Sequence, residues 1–286
     1  MTTTYRPKTH LAVLAVLGLT HLLNDMMQSL IPAAYPILKE VYSLDFVQIG
    51  IITLTFQIAG AMLQPIAGMV TDKYPAPYSP VVGMMFTLSG LVSLAYAHSY
   101  STILVSVALI GIGSSIFHPE ATRMARYAAG GRQGLAQGIF QVGGQAGGAL
   151  GPVFAALIIV PWGQSSLAWF AVSALLAMML LTWIGSKQRQ ISAEFAAMRE
   201  RSKQHTEGIQ HAPLTIGIGL VVLTFLMFTK NSYIESFRSF YTFYLIERFD
   251  LSIPDSQLML FVFLLASAAG VLIGGIVGDR IGRYRI

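Results

Sequence analysis

Residues 138–152 read Gly138-Ile-Phe-Gln-Val-Gly143-Gly144-Gln-Ala-Gly147-Gly148-Ala-Leu-Gly151-Pro152, inside a long apolar run, and six of the fifteen are glycine. In a soluble helix each glycine costs about 0.8–1 kcal/mol against alanine. In lipid, glycines let two helix backbones meet closely, and that contact replaces the hydrophobic drive which lipid removes. Gly144, Gly147, Gly148 and Gly151 fall on one helical face at i, i+3, i+4 and i+7. The stretch reads as a membrane helix against which another helix packs and slides.

The surrounding composition agrees. Across 286 residues the chain is 54% hydrophobic and 11% charged, with a mean hydropathy of +0.63, which excludes a soluble globule. Cysteine is absent, so there is no disulfide framework and no thiolate metal site. The net charge of +5 could suggest a nucleic-acid partner, but the basic residues are spread in a membrane pattern instead. Apolar runs long enough to cross a bilayer recur. They give eight spans, at about 11–38, 46–71, 80–98, 102–127, 134–160, 167–186, 213–246 and 256–278. The first carries Asp25 and lacks a small-residue cleavage site, so it is a span rather than a signal peptide.

With the N-terminus inside, 14 of the 18 Lys and Arg residues fall at inner segments, and only Lys39 and Arg248 lie in outer loops. The positive-inside rule therefore puts the N-terminus in the cytoplasm. The polar segment 187–212 reads as a cytoplasmic linker between a six-span bundle (1–186) and a partial second bundle (213–286).

An internal repeat supports that division. Shifting the chain by 207 residues superposes Leu38–Asp72 on Leu245–Asp279 with ten identities in thirty-five positions, among them Phe56/Phe263, Gly68/Gly275 and Asp72/Asp279. By the same offset, counterparts of spans 3 to 6 would fall at roughly 287–393, so the stretch looks like two thirds of a twelve-helix protein.

The polar residues inside the spans carry the functional reading. His21, Asn24, Asp25 and Gln28 form one stripe halfway through span 1. A charged aspartate there costs roughly 2.5–3.5 kcal/mol on insertion scales, so Asp25 either faces a cavity and carries a proton or sits in a structural ion pair. The repeat places Asn24 on Asn231 and Gln28 on Glu235, which gives span 7 a matching polar face. Lys230 beside it is a counter-ion for Asp25, while Glu235 and Arg238 could pair with each other. On span 4, Glu120 and Arg123 at i and i+3 form a local ion pair or, with His118, a second proton station. His118 and Glu120 have no further ligand cluster, so no metal site and no cofactor is expected. Gln137, Gln141 and Gln145 stripe span 5 and suit either a polar solute or interhelical hydrogen bonds. The aromatics of span 7 read as packing.

After spans 2 and 8 stand Gly68-Met-Val-Thr-Asp72-Lys73 and Gly275-Ile-Val-Gly-Asp279-Arg280-Ile-Gly282-Arg283. The glycine allows close packing at a helix end, the aspartate can cap a neighbouring helix, and the basic residues anchor at the interface. This pattern resembles the loop signature of the major facilitator superfamily, from which the first copy departs at Pro75 and Ala76. That departure leaves no loop arginine for a latch in the first half. Gly138, Gly147, Gly151 and Pro152 are similar to the span 5 motif of that superfamily's proton antiporters, with Ala155-Ala156 in place of a final glycine pair. More narrowly, His21-Leu-Leu-Asn-Asp25-Met, Phe117-His118-Pro119-Glu120, Gly130-Gly131-Arg132 and Phe140-Gln-Val-Gly-Gly144 resemble the fosmidomycin resistance protein family of drug exporters.

The resemblance implies an all-α polytopic fold and proton-driven export of small drugs by alternating access. It further implies a multi-pass monomer in the bacterial inner membrane whose partners are a small solute, protons and the bilayer. Proton coupling is expected from Asp25, His118, Glu120 and Arg123. His21, Asn24, Gln28, Gln141, Gln145, Lys230, Asn231 and Glu235 are expected to line the solute cavity. Gating falls to the two loop motifs and to the glycines of span 5. Gly147 lies level with Ala266–Gly270 of span 8, so Gly147→Leu is expected to block rocking of the halves while the first half stays folded. An uptake symporter is the nearest alternative. A membrane-embedded enzyme lacks H-E-x-x-H and G-x-S-x-G, ATP hydrolysis lacks a phosphate-binding loop, and a passive scaffold has no use for buried charges.

Overall fold

Helices long enough to cross a bilayer follow one another with short connections in a computed structural model of the chain. It describes residues 8–74, 76–203 and 213–281, with side chains over 8–74, 76–197, 217–270 and at 273. We label the helices α1 (Leu11–Tyr42), α2 (Phe46–Lys73), α3 (Ser79–Ala95), α4 (Tyr100–Ala128) and α5 (Gln133–Trp162). They are followed by α6 (Ala171–Lys203), α7 (Pro213–Phe249) and α8 (Ile253–Ile281). These eight correspond to the eight spans. The third is the shortest at 17 residues, ending at Ala95 rather than near 98, because Tyr96 to Ser99 turn the chain ahead of the Ser99 cap of α4. Helix α6 carries on to Lys203, so the polar segment after 186 begins as helix.

Local chemistry places the breaks. Pro32 sits in the last turn before α1 changes direction at Ala34. A capping box starts α2: Asp45 accepts from the Gln48 amide at 2.7 Å, and Gln48 accepts from the Asp45 amide at 2.9 Å. Helix α2 contains a π-helical turn over Ile58–Met62, and α5 one over Ala155–Ile159, each near a proline. Between α4 and α5, Gly130 and Gly131 take φ values of 54° and 87°, which side chains rarely adopt. The outward faces are apolar, as a lipid solvent requires: Val47, Leu157, Val172 and Met179 are all well exposed. Trp162 and Trp169 pair 5.5 Å apart at one end of the bundle, where an amphipathic ring suits the membrane interface.

The glycine face of α5 has a partner other than the expected one. Gly143, Gly147 and Gly151 lie against Gly18, Leu22 and Ser29 of α1, so closely that a β-carbon at any of them would strike α1 atoms. The seam therefore lies inside the first bundle and not between the halves. Helix α8 does pack on α5, but through Ala149 with Leu260 and Leu264. A glycine stripe specifies a close approach without saying which helix makes it, and α1 answers with Gly18 at the tightest crossing. Gly138 stands apart from this seam, exposed and with open space where a β-carbon would point.

The two halves touch through buried polar groups. The Gln257 amide of α8 donates to the Ala33 carbonyl at 2.8 Å, and Ser239 of α7 meets Thr53 of α2 at 3.4 Å. Phe46 of α2 packs edge-on against Phe243 of α7 at 5.3 Å.

Candidate functional site

Asp25 sits at the centre of a polar cluster. The His21 Nε2 lies 3.2 Å from its Oδ2, and the His118 Nε2 lies 3.6 Å from its Oδ1. The Asn24 amide donates to Oδ1 at 3.0 Å, while Gln28 reaches the same oxygen only at 3.5 Å. His21 is stacked on Phe140 with ring centroids 3.9 Å apart, and its Nδ1 lies 2.7 Å from the Phe140 carbonyl oxygen. A carbonyl only accepts, so Nδ1 carries a hydrogen. A neutral His21 then aims the lone pair of Nε2 at a carboxylate oxygen, two acceptors facing each other at 3.2 Å. One proton between His21 and Asp25 removes that repulsion. Gly144 makes room for the arrangement, since a β-carbon there would collide with the imidazole and with the Asp25 carboxyl.

Asp25 opens onto two adjoining cavities. One, of about 220 Å³, is lined by Asp25, Gln28, Gln57, His118, Glu235 and Arg238 among others. The next, of about 290 Å³, adds Gln145, Lys230, Asn231 and Ser267. Both lie where α1, α2 and α5 of the first half face α7 of the second. The 207-residue offset reappears here, since Gln28 and its counterpart Glu235 line one cavity, and Gln57 and its counterpart Leu264 line the other.

Glu120 and Arg123 belong to a different place. Glu120 is 1% exposed and receives Arg123 Nη1 at 2.8 Å and the Gln188 amide at 2.5 Å. Arg123 Nη2 reaches Asp72 at 2.6 Å and the Thr71 hydroxyl at 2.9 Å, and its Nη1 caps the Thr71 carbonyl at 2.9 Å. One guanidinium thus ties the end of α2 to α4 and, through Glu120, to α6. Asp72 does meet an arginine in the first half, supplied by α4 rather than by the loop. This network borders a larger cavity of about 780 Å³, and His118 lines both that cavity and the one at Asp25. Arg123→Ala strands the buried Glu120 carboxylate, a loss on the order of 3–5 kcal/mol for a buried pair. The melting midpoint of the purified protein should drop sharply, with Arg123→Lys restoring only part because lysine lacks the fork geometry.

Several expected roles shift. His21 and Asn24 stand behind Asp25, 4% and 0% exposed, and are not cavity wall. Lys230 lines a cavity with Asp25 but forms no ion pair with it among the described residues, because the two histidines occupy the carboxylate. Glu235 and Arg238 likewise form no ion pair among the described residues. Arg238 turns into the cavities with its Nε buried and without a partner, and a β-carbon on Gly148 would sit 3.1 Å from its guanidinium. Gln145 lines a cavity, whereas Gln141 is exposed and lines neither. The Gly68 carbonyl meets Arg123 at 3.4 Å, and Lys73 lies over the Tyr74 ring. The side chains of Asp279 and Arg280, the surroundings of Gly275, and all of Gly282 and Arg283 lie outside what is described. Gln57, Arg238 and Gln188 were missed as site residues. Arg238 had a legible signal, being a cation inside a span. A ligand cluster was also missed: His21, Asp25 and His118 bring three donor atoms within 4.8 Å of one another.

A bundle of membrane-crossing helices with charged cavities between its two parts defines a polytopic membrane protein built around a polar interior. The chain belongs to the Major Facilitator Superfamily, whose family model matches residues 17–286. It is 50% identical over 283 residues to the fosmidomycin resistance protein of Escherichia coli (strain K12), covering 98% of this chain and 68% of that protein. An uncharacterized transporter of the same superfamily from Bacillus subtilis (strain 168) is 39% identical, over 95% of this chain and 66% of its own length. The chain thus spans about two thirds of the length of these relatives. In fold it is similar to the crystal structure of a D-xylose-proton symporter, with a TM-score of 0.70 at 14% identity over 95% of this chain and 70% of that one. A bacterial homolog of the lysosomal transporter Spinster, inward-facing and unoccupied, gives a TM-score of 0.65 at 15% identity, over 99% and 64%.

Proposed function

We propose that this chain serves a proton-coupled antiporter that exports small drugs from the bacterial cytoplasm, with fosmidomycin as the first compound to test. The reading places the protein in the inner membrane as a monomer with a cytoplasmic N-terminus. The observation that carries it is the His21–Asp25 pair, whose 3.2 Å separation suits a shared proton and which borders a cavity between the two halves. His118 lines both this cavity and the larger one beside Arg123, which supports a role in passing the proton between them. Half identity to a protein named for fosmidomycin resistance supports the solute class. The Glu120–Arg123–Asp72 network is assigned to gating, since its charges are satisfied by one another and by Gln188.

The test is solute movement under an imposed gradient. In inverted membrane vesicles containing the protein, an acidic interior should drive fosmidomycin inward, and reversing the gradient should drive it out. Fluxes that ignore the sign of the gradient overturn proton coupling. Fluxes that run with the proton instead identify an uptake symporter.

A further inference from the structure

We infer that His21, Asp25 and His118 form a binding site for a divalent transition metal ion of the zinc class. This goes beyond transport of a solute and does not depend on the proton reading given above.

The argument is geometric. Zinc bonds to imidazole nitrogen and carboxylate oxygen at about 2.0–2.2 Å, so tetrahedral donors stand roughly 3.3 Å apart. Each imidazole already stands near that spacing from one carboxylate oxygen, His21 Nε2 at 3.2 Å from Asp25 Oδ2 and His118 Nε2 at 3.6 Å from Oδ1. All three donor atoms lie within 4.8 Å of one another. The second requirement is an outer partner that fixes a ligating histidine, most often a carbonyl or carboxylate on its other nitrogen. His21 has it in the Phe140 carbonyl, 2.7 Å from Nδ1, which leaves Nε2 as the donor atom. Two histidines and one carboxylate suit zinc, cobalt or nickel better than calcium or magnesium, which prefer oxygen.

Entry and charge also fit. The Asp25 and His118 side chains are 27% and 22% exposed, and both line the 220 Å³ cavity, so water can complete the coordination. The charged groups facing that cavity from α7 are Glu235 and Arg238, which offset each other, with Lys230 in the adjoining cavity, and α2 and α5 contribute only neutral Gln57 and Gly148.

The test is a cobalt titration of the purified chain in detergent, followed by its ligand-field absorption. We expect a saturable band at one ion per chain, lost on adding zinc. His21→Gln and His118→Gln lie on different helices, and each should weaken binding ~10-fold or more. His10→Gln, at the separate His10–Glu194 pair, should leave it unchanged. Gel filtration checks that each variant is folded. The inference is overturned if no saturable band forms, if binding survives the double His21→Gln, His118→Gln variant, or if it follows His10.

Discussion

Asp25→Asn abolishes gradient-driven efflux, bringing it to the level of vesicles without the protein, while the variant still folds and inserts. Asparagine has the shape of aspartate but cannot ionise, so it cannot alternate between a loaded and an empty state. Folding survives because the amide can turn its NH₂ toward His21 Nε2, giving that lone pair a donor in place of the shared proton. The neighbouring Asn24 and Gln28 bonds to Oδ1 then meet the amide oxygen. The measurement is fosmidomycin flux in vesicles across a series of imposed pH differences, with protein content checked by immunoblot. Full flux with unchanged pH dependence in Asp25→Asn removes Asp25 as the proton carrier. Asp25→Glu should retain part of the coupling, because the carboxyl is preserved but displaced from His21.

Gly147→Leu is expected to prevent the first bundle from folding, not merely to slow the transport cycle. A side chain at 147 enters the space held by the Leu22 backbone, so α1 and α5 must separate along their whole contact. Overpacking a dense core typically costs 1–3 kcal/mol. Here the obstacle is backbone that no rotamer change can relieve, and the lost helix–helix contact adds to it. Gly143→Leu should behave alike against Gly18. Gly138→Leu is the control, since it meets open space and should leave yield and melting midpoint within error of wild type. A Gly147→Leu protein with normal yield and stability but no efflux would return this helix to the role of a sliding seam between halves.

The contrast between those two glycines marks what could be read from residues alone. Span positions were legible because lipid makes one demand on every crossing segment, length with few charges, and seven of the eight helices follow it, α3 being shorter. The repeat was legible because Gln28 and Glu235 keep the same register in both halves and share one cavity. Helix rotation was not legible. Whether Gly147 meets α1 or α8, or Arg238 meets Glu235 or a cavity, depends on a few tens of degrees about each axis. That angle is set by packing among all neighbours at once. The same limit hid the triad, for His21 and His118 lie almost a hundred residues apart and nothing local links them. Their meeting across Asp25 depends on α1, α4 and α5 crossing where Gly144 leaves room.

The contact between His21 and the Phe140 carbonyl makes the imidazole beside Asp25 a rivet between two helices. A cationic donor bonds about twice as strongly as a neutral one. On the proposed reading, each proton that reaches the pair therefore tightens the joint between α1 and α5, and each departure loosens it. The electrical state of the site is thereby converted into stiffness of the bundle that must move, with no separate sensor between them.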